Sequence, residues 1–298
     1  MNTLAKLALL ALPALASMPG AASAADWRED YPEIVFGMAS GENLTDQQRR
    51  WQPIADYLSE ALDVKVTLRQ SNEYAAIIEA QRAGQVQIAN YGAAAYATAY
   101  DVLEGDVVPL VTNQNLDGQY GYYSMLVTRN DDALQGLDDL AGKKLAFIEP
   151  NSTSGYLAPH HYLVEGGYDD AFFSEVAFAG ADETALMAVA NGTYDAALSW
   201  FNSDDNNNLK VIEEKGMVEP GTLKILWKTP ILPNGPFVVR TDLPEDMRAD
   251  IKQALLDFKS ADPERFETVS AGQWAGMVEV DHDVYTGIIA MREESLKH

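Results

Sequence analysis

Residues 34–89, IVFGMASGENLTDQQRRWQPIADYLSEALDVKVTLRQSNEYAAIIEAQRAGQVQIA, alternate strand-like and helix-like hydrophobic patterns, and this alternation decides the fold. A short apolar run over 34–38 predicts a strand. Behind a polar start at Thr45 or Asp46, Trp51, Ile54, Leu58 and Leu62 recur at helical spacing, which predicts a helix over 46–62. The pattern then repeats with a strand over 64–68, a helix over 73–83 and a strand over 86–89. Strands separated by helices predict a parallel α/β sheet.

Downstream, 107–111 reads as a strand, followed by a polar, glycine-bearing stretch over 113–121 and a fresh strand over 122–128. A second set of strands is expected at 145–147, 175–178, 196–199 and 223–227. The proline- and glycine-rich segment 229–236 then leads to a strand at 237–239 and a helix over 244–259. The expected organisation is two α/β lobes, one discontinuous over 25–119 and 231–298 and one over 120–230, joined by two hinge crossings. About 270 residues exceed the usual single core, which favours two lobes as well. Ligands of open α/β sheets bind beyond the carboxyl ends of the strands, so the cleft between the lobes is the expected site.

Upstream, Met1 to Ala24 has a charged start at Lys6, an apolar run from Leu7 to Ala16 and a small-residue exit at Ala22-Ser23-Ala24. This pattern predicts a cleavable signal peptide and a periplasmic protein. No later segment is apolar enough for a bilayer span of about 20 residues. There is no cysteine, hence no lipid-attachment site, disulfide or thiolate metal site. The formal net charge is −24, and removing the signal, with one lysine and no acid, makes it −25. A nucleic-acid partner is excluded, since phosphate backbones need a basic face. His160 and His161 are adjacent and diverge on a helix, while His282 and His298 lack partners at ligand spacing. No metal or other cofactor is expected. No nucleophile, base and metal set forms a catalytic pattern, so an enzyme is not expected.

The segment Glu149-Pro150-Asn151-Ser152-Thr153-Ser154-Gly155-Tyr156 lies between a strand and a helix continuing through Leu157, His161 and Val164. Hydroxyls and backbone N–H groups at the positive end of a helix can cradle an oxyanion. Asn151 or Ser152 could instead cap the helix, but three adjacent hydroxyls exceed what a cap requires. Tyr120, Tyr122 and Tyr123 at the first crossing fit hinge packing and cleft lining equally well.

Taken with Glu73-Tyr74-Ala75-Ala76-Ile77-Ile78, Ile88-Ala89-Asn90-Tyr91-Gly92, Gly121-Tyr122-Tyr123-Ser124, Ala188-Val189-Ala190-Asn191 and Trp274-Ala275-Gly276, the cradle resembles that of the phosphonate-binding periplasmic proteins of ABC importers. That group also includes phosphite and phosphate-like binders. The resemblance covers essentially the whole mature chain. It implies a type II periplasmic-binding-protein clamshell with a two-strand hinge. It also implies capture of a phosphonate, phosphite or phosphate ester, and delivery to an ABC-transporter permease at the inner membrane. Position by position, it implies phenolic hydrogen bonds from Tyr74 and Tyr91 in one lobe, with Ser152, Thr153 and Ser154 of the other gripping the same oxygens.

The departures are informative. Asp182 stands where the aminoethylphosphonate binder of the family has a histidine touching the phosphonate, so it either faces the ligand or caps the helix through Leu186 and Ala190. Asn202 and Gly235 stand at the positions of the amine-binding carboxylates. Asp204 and Asp205 could replace them or form a solvated turn. The long carboxy-terminal helical extension of that relative is missing, so a monomer is expected. The alternative function is an oxyanion-sensing clamshell that partners a sensor kinase; an arsenite-type sensor would require cysteine.

Overall fold

The computed structural model describes residues 26–131 and 133–297. The signal-peptide reading at Met1–Ala24 lies outside these residues. The first part of the chain forms α1 (Trp27–Asp30), β1 (Glu33–Ala39), α2 (Leu44–Leu62), β2 (Lys65–Ser71), α3 (Tyr74–Arg82), β3 (Ile88–Asn90), α4 (Ala93–Val102) and β4 (Val107–Asn115). The middle forms β5 (Gly121–Arg129), β6 (Lys144–Phe147), α5 (Ala158–Glu165), β7 (Glu175–Phe178), α6 (Asp182–Ala190), β8 (Ala196–Ser203), β9 (Asn206–Asn207), α7 (Asn208–Glu214), β10 (Leu223–Lys228) and β11 (Leu232–Pro233). The chain then returns through β12 (Pro236–Arg240), α8 (Glu245–Ala261), α9 (Pro263–Ser270), β13 (Trp274–Glu279) and α10 (Thr286–Ser295).

The periodicity of α2 places Trp51, Ile54, Leu58 and Leu62 in a buried core with Phe36 of β1 and Phe237 of β12. The helix opens earlier than its polar start suggested: Asn43 is the cap, and its side-chain oxygen accepts from Asp46 N at 3.0 Å. It stops at Asp63, whose left-handed backbone cannot continue the helix.

Two sheets result. One has the order β13-β4-β12-β3-β1-β2, the other β10-β5-β8-β6-β7 with β9 on β8 and β11 on β5. Neither is purely parallel. The pairs joined through helices, β1–β2, β1–β3, β6–β7 and β6–β8, are parallel as expected. By contrast, β12 runs antiparallel to β3 and β4, because it re-enters the first sheet at the end where β4 leaves.

The two crossings are stitched together by backbone and side-chain hydrogen bonds. Asn234 N donates to Tyr120 O at 3.0 Å and Asn234 Nδ2 to Asn113 O at 3.0 Å. Asn115 Nδ2 donates to Gly121 O at 2.7 Å. Leu232 and Pro233 pair with Tyr122 and Gly121, so the second sheet reaches Pro233, beyond the expected lobe boundary at 230.

Candidate functional site

The carboxyl ends of β1 and β3 face those of β6 and β8 across a cavity of about 550 Å³. At its floor the chain leaves β6 and enters one π-helical turn, Thr153–Leu157, which runs directly into α5. Ser152 caps this turn, its Oγ accepting from Gly155 N at 3.1 Å. A Cβ on Gly155 would lie 2.5 Å from the Ile148 side chain, so the tight return of the turn onto the strand requires glycine. Ser124 Oγ donates to Ser154 O at 2.6 Å and anchors the turn to β5. Ser152, Thr153 and Ser154 are all buried. Asn151 faces elsewhere, donating to Glu149 Oε1 at 3.2 Å and accepting from Thr98 Oγ1 of α4 at 2.8 Å.

Tyr74, the first residue of α3, brings its hydroxyl to Ser152 from the opposite wall. Burial, reinforced by the charge of Asp182, holds this phenol far above its ordinary range, so it stays an O–H donor. Tyr122 stands beside Thr153 and Ser154 and is likewise raised by burial. The amino end of α4 closes the same wall: its cap is Gly92, no side chain caps it, and Ala94 N donates to Thr153 Oγ1 at 2.9 Å. A Cβ on Gly92 would come within 2.9 Å of that oxygen. Tyr91 lines the cavity, while its buried hydroxyl donates to Gln81 Oε1 at 3.1 Å.

Asp182 does not cap α6. The cap position is Ala181 and no side chain bonds the first turn, because the carboxylate is taken by β8: Asp182 Oδ1 accepts from Ser199 Oγ at 2.7 Å. Ser199 Oγ in turn accepts from Asn208 Nδ2 at 3.0 Å. Asp182 N donates to Gly41 O across the cleft at 3.1 Å, and a Cβ on Gly41 would lie 2.1 Å from Asp182 Oδ2. Burial pushes this carboxyl up to about 6; Ser199 opposes the shift, and Glu42 and Glu183 add to it.

At the rim, Lys215 bridges Asp46 of α2 and Glu183 of α6, and Asn43 Nδ2 donates to Glu183 Oε2 at 3.1 Å. Asn202 lines the cavity, whereas Asp204 and Asp205 form the turn between β8 and β9, outside the lining. Among the described residues, no three His, Cys, Asp or Glu side chains gather as metal ligands.

Several of these groups escaped the sequence reading. Tyr122 was left open between packing and lining. Ser199, Asn208 and the Gly92–Ala94 backbone carried no local motif; buried polar residues on a strand end are the signal that could have marked Ser199.

Residues 36–285 match the family described as ABC transporter, phosphonate, periplasmic substrate-binding protein. The chain belongs to this family. It is 31% identical over 274 residues to the phosphonates-binding periplasmic protein of Escherichia coli, covering 90% of this chain and 78% of that protein. It is 32% identical over 225 residues to the phosphate-import protein PhnD of Mycolicibacterium smegmatis, covering 72% of this chain and 68% of that one. Among solved structures, a binding protein component of an ABC phosphonate transporter from Pseudomonas aeruginosa superposes with a TM-score of 0.76 at 26% identity, covering 88% and 85% of the two chains. PhnD1 of Prochlorococcus marinus in complex with methylphosphonate also gives 0.76, at 18% identity, covering 90% and 99%. The fold is the two-lobed, type II fold of periplasmic binding proteins.

Proposed function

We propose that the chain captures a small phosphorus oxyanion, a phosphonate, phosphite or phosphate ester, in this cleft and delivers it to the permease of an ABC importer. The observation that carries the reading is the convergence of neutral donors on one floor. Ser152, Thr153 and Ser154 rise from one lobe with Tyr122 and Asp182 beside them, and Tyr74 and the amino end of α4 oppose them from the other. Tyr91 lines the wall, its hydroxyl held by Gln81. Hydrogen bonds to a charged group contribute about 1.5–3 kcal/mol each. A few of them, after the cost of ordering, suffice for roughly micromolar to nanomolar affinity. Family membership supports the same assignment.

Phosphate, phosphite, methylphosphonate and aminoethylphosphonate are the ligands to screen by thermal shift. A ligand at 100 times its dissociation constant is expected to stabilise by about 2.7 kcal/mol. A melting temperature unmoved by all four would sink the assignment.

Met1–Ala24 is the proposed export signal, and the mature protein is proposed to act in the periplasm as a monomer. The proposed lobes are 25–119 with 231–298 and 120–230, the second extended to Pro233 by its pairing with β5. They rotate about the crossings near 118–123 and 229–236. Contacts such as Lys215 with Asp46 and Ala94 N with Thr153 Oγ1 belong to the closed form in this reading. Saturating methylphosphonate is therefore expected to reduce the radius of gyration in solution scattering. An unchanged profile would count against closure.

A further inference from the structure

We propose that Asp182 couples capture of the oxyanion to a single proton, its Oδ2 and one ligand oxygen sharing one hydrogen between them, so that the site takes a hydrogen phosphonate or hydrogen phosphate and loses affinity as that proton is titrated away. The inference rests on the reading of the cleft as a phosphorus-oxyanion site and goes on to define the protonation state taken there.

The geometry is specific. Ser199 Oγ accepts from Asn208 Nδ2, so its own hydrogen is committed to Asp182 Oδ1. The second oxygen, Oδ2, receives no hydrogen bond from the described residues, and it sits against Gly41, where any side chain would displace it. An ionised carboxylate accepts and never donates. Whatever oxygen meets Oδ2 must therefore share a hydrogen with it, carried by the ligand or by the carboxyl itself.

Among the described residues, no cation adjoins Asp182 to relieve the charge. The groups facing Asp182 are Glu42 from the loop after β1, Glu183 beside it on α6, Tyr74 from α3 and Tyr122 from β5. Two are acids, and the two phenols are kept neutral by burial. Lys215 is engaged by Asp46 and Glu183, and Arg50 lies 3.8 Å from Glu42. A fully ionised oxyanion placed against Asp182 would put two like charges a hydrogen-bond length apart, and a single proton between them removes the repulsion. That proton is one and the same whether it is drawn on the carboxyl or on the ligand.

The pH dependence has a definite sign. Burial raises the Asp182 carboxyl to about 6, and the second ionisation of a phosphate-type monoester is also about 6. Above both values the complex must take up one proton, so affinity is expected to fall about tenfold per pH unit above about pH 7. An asparagine amide can donate without any proton uptake, so Asp182→Asn should flatten the profile.

Titration calorimetry tests this with methylphosphonate. Measurements from pH 6 to 8.5, in non-phosphate buffers of differing ionisation heat, count the protons bound. Wild type is expected to take up about one proton with methylphosphonate at pH 8. Asp182→Asn is expected to take up almost none, since its amide supplies the hydrogen. No proton uptake by wild type, or equal uptake by both proteins, overturns the proposal. If the variant fails to fold, the wild-type proton count decides alone. Absence of any methylphosphonate binding would overturn the ligand reading itself, which separates the two failures.

Discussion

Replacing Gly235 with alanine is expected to cost about 3 kcal/mol, a fall in Tm of about 6–12 °C for a chain of this size. The new Cβ would lie 1.8 Å from Tyr91 O, 2.8 Å from Tyr91 C and 2.9 Å from Gly92 Cα. All three are backbone atoms, so no side-chain rotation relieves the clash. Relief requires β12 to move away from β3, against the hydrogen bond from Tyr91 N to Pro236 O at 3.1 Å and that from Thr112 Oγ1 to Gly235 O at 2.9 Å. The same movement displaces Gly92 and the amino end of α4, so methylphosphonate binding should weaken too. Gly118→Ala is the control: its positive φ of 84° strains an alanine, but nothing lies within 4 Å of the new Cβ. It should cost about 1 kcal/mol with binding intact. Thermal melts and calorimetry on both variants check this, and a Gly235→Ala melt within about 2 °C of wild type would refute the packing argument.

Thr153→Ala is expected to weaken methylphosphonate binding by about 1–3 kcal/mol, or about 5- to 150-fold. The lost hydroxyl is the one to which Ala94 N–H donates across the cleft, and it stands beside Tyr122. Its removal deletes a ligand donor and one contact between the walls together. In the unliganded protein water can replace both bonds, so the melting temperature should hardly move. Ser152→Ala should lower stability as well, by about 1 kcal/mol, because its Oγ caps the turn by accepting from Gly155 N. Thr153→Ser should restore most of the affinity. Equal affinities for wild type and Thr153→Ala would remove Thr153 from the site.

The periodic elements were readable along the chain because their cause is local. Apolar residues recurring in α2 follow from burying one face of a helix, and the continuous apolar run 145–147 from burying both faces of a parallel strand. The cradle was readable for the same reason: three hydroxyls, a glycine and a following helix are contiguous, and their turn is built mainly from bonds within that segment. The helix start at Asn43 was missed because capping depends on a single side-chain rotamer rather than on a repeating pattern.

What the sequence by itself determined is therefore the α/β class, the two-set organisation with two crossings, and the contiguous Ser152–Ser154 cradle. Only the tertiary structure decided what faces it. Tyr91 and Tyr74 look equivalent in sequence, yet packing commits the hydroxyl of Tyr91 to Gln81 and leaves that of Tyr74 at Ser152. Asp182 reads equally well as a helix cap or a cleft residue, and Ser199, 17 residues away, takes the carboxylate so that it caps nothing. The physical reason is common to both: a side chain's polar atom goes to whichever partner the fold brings within about 3 Å, and those partners lie on elements whose meeting no local pattern encodes.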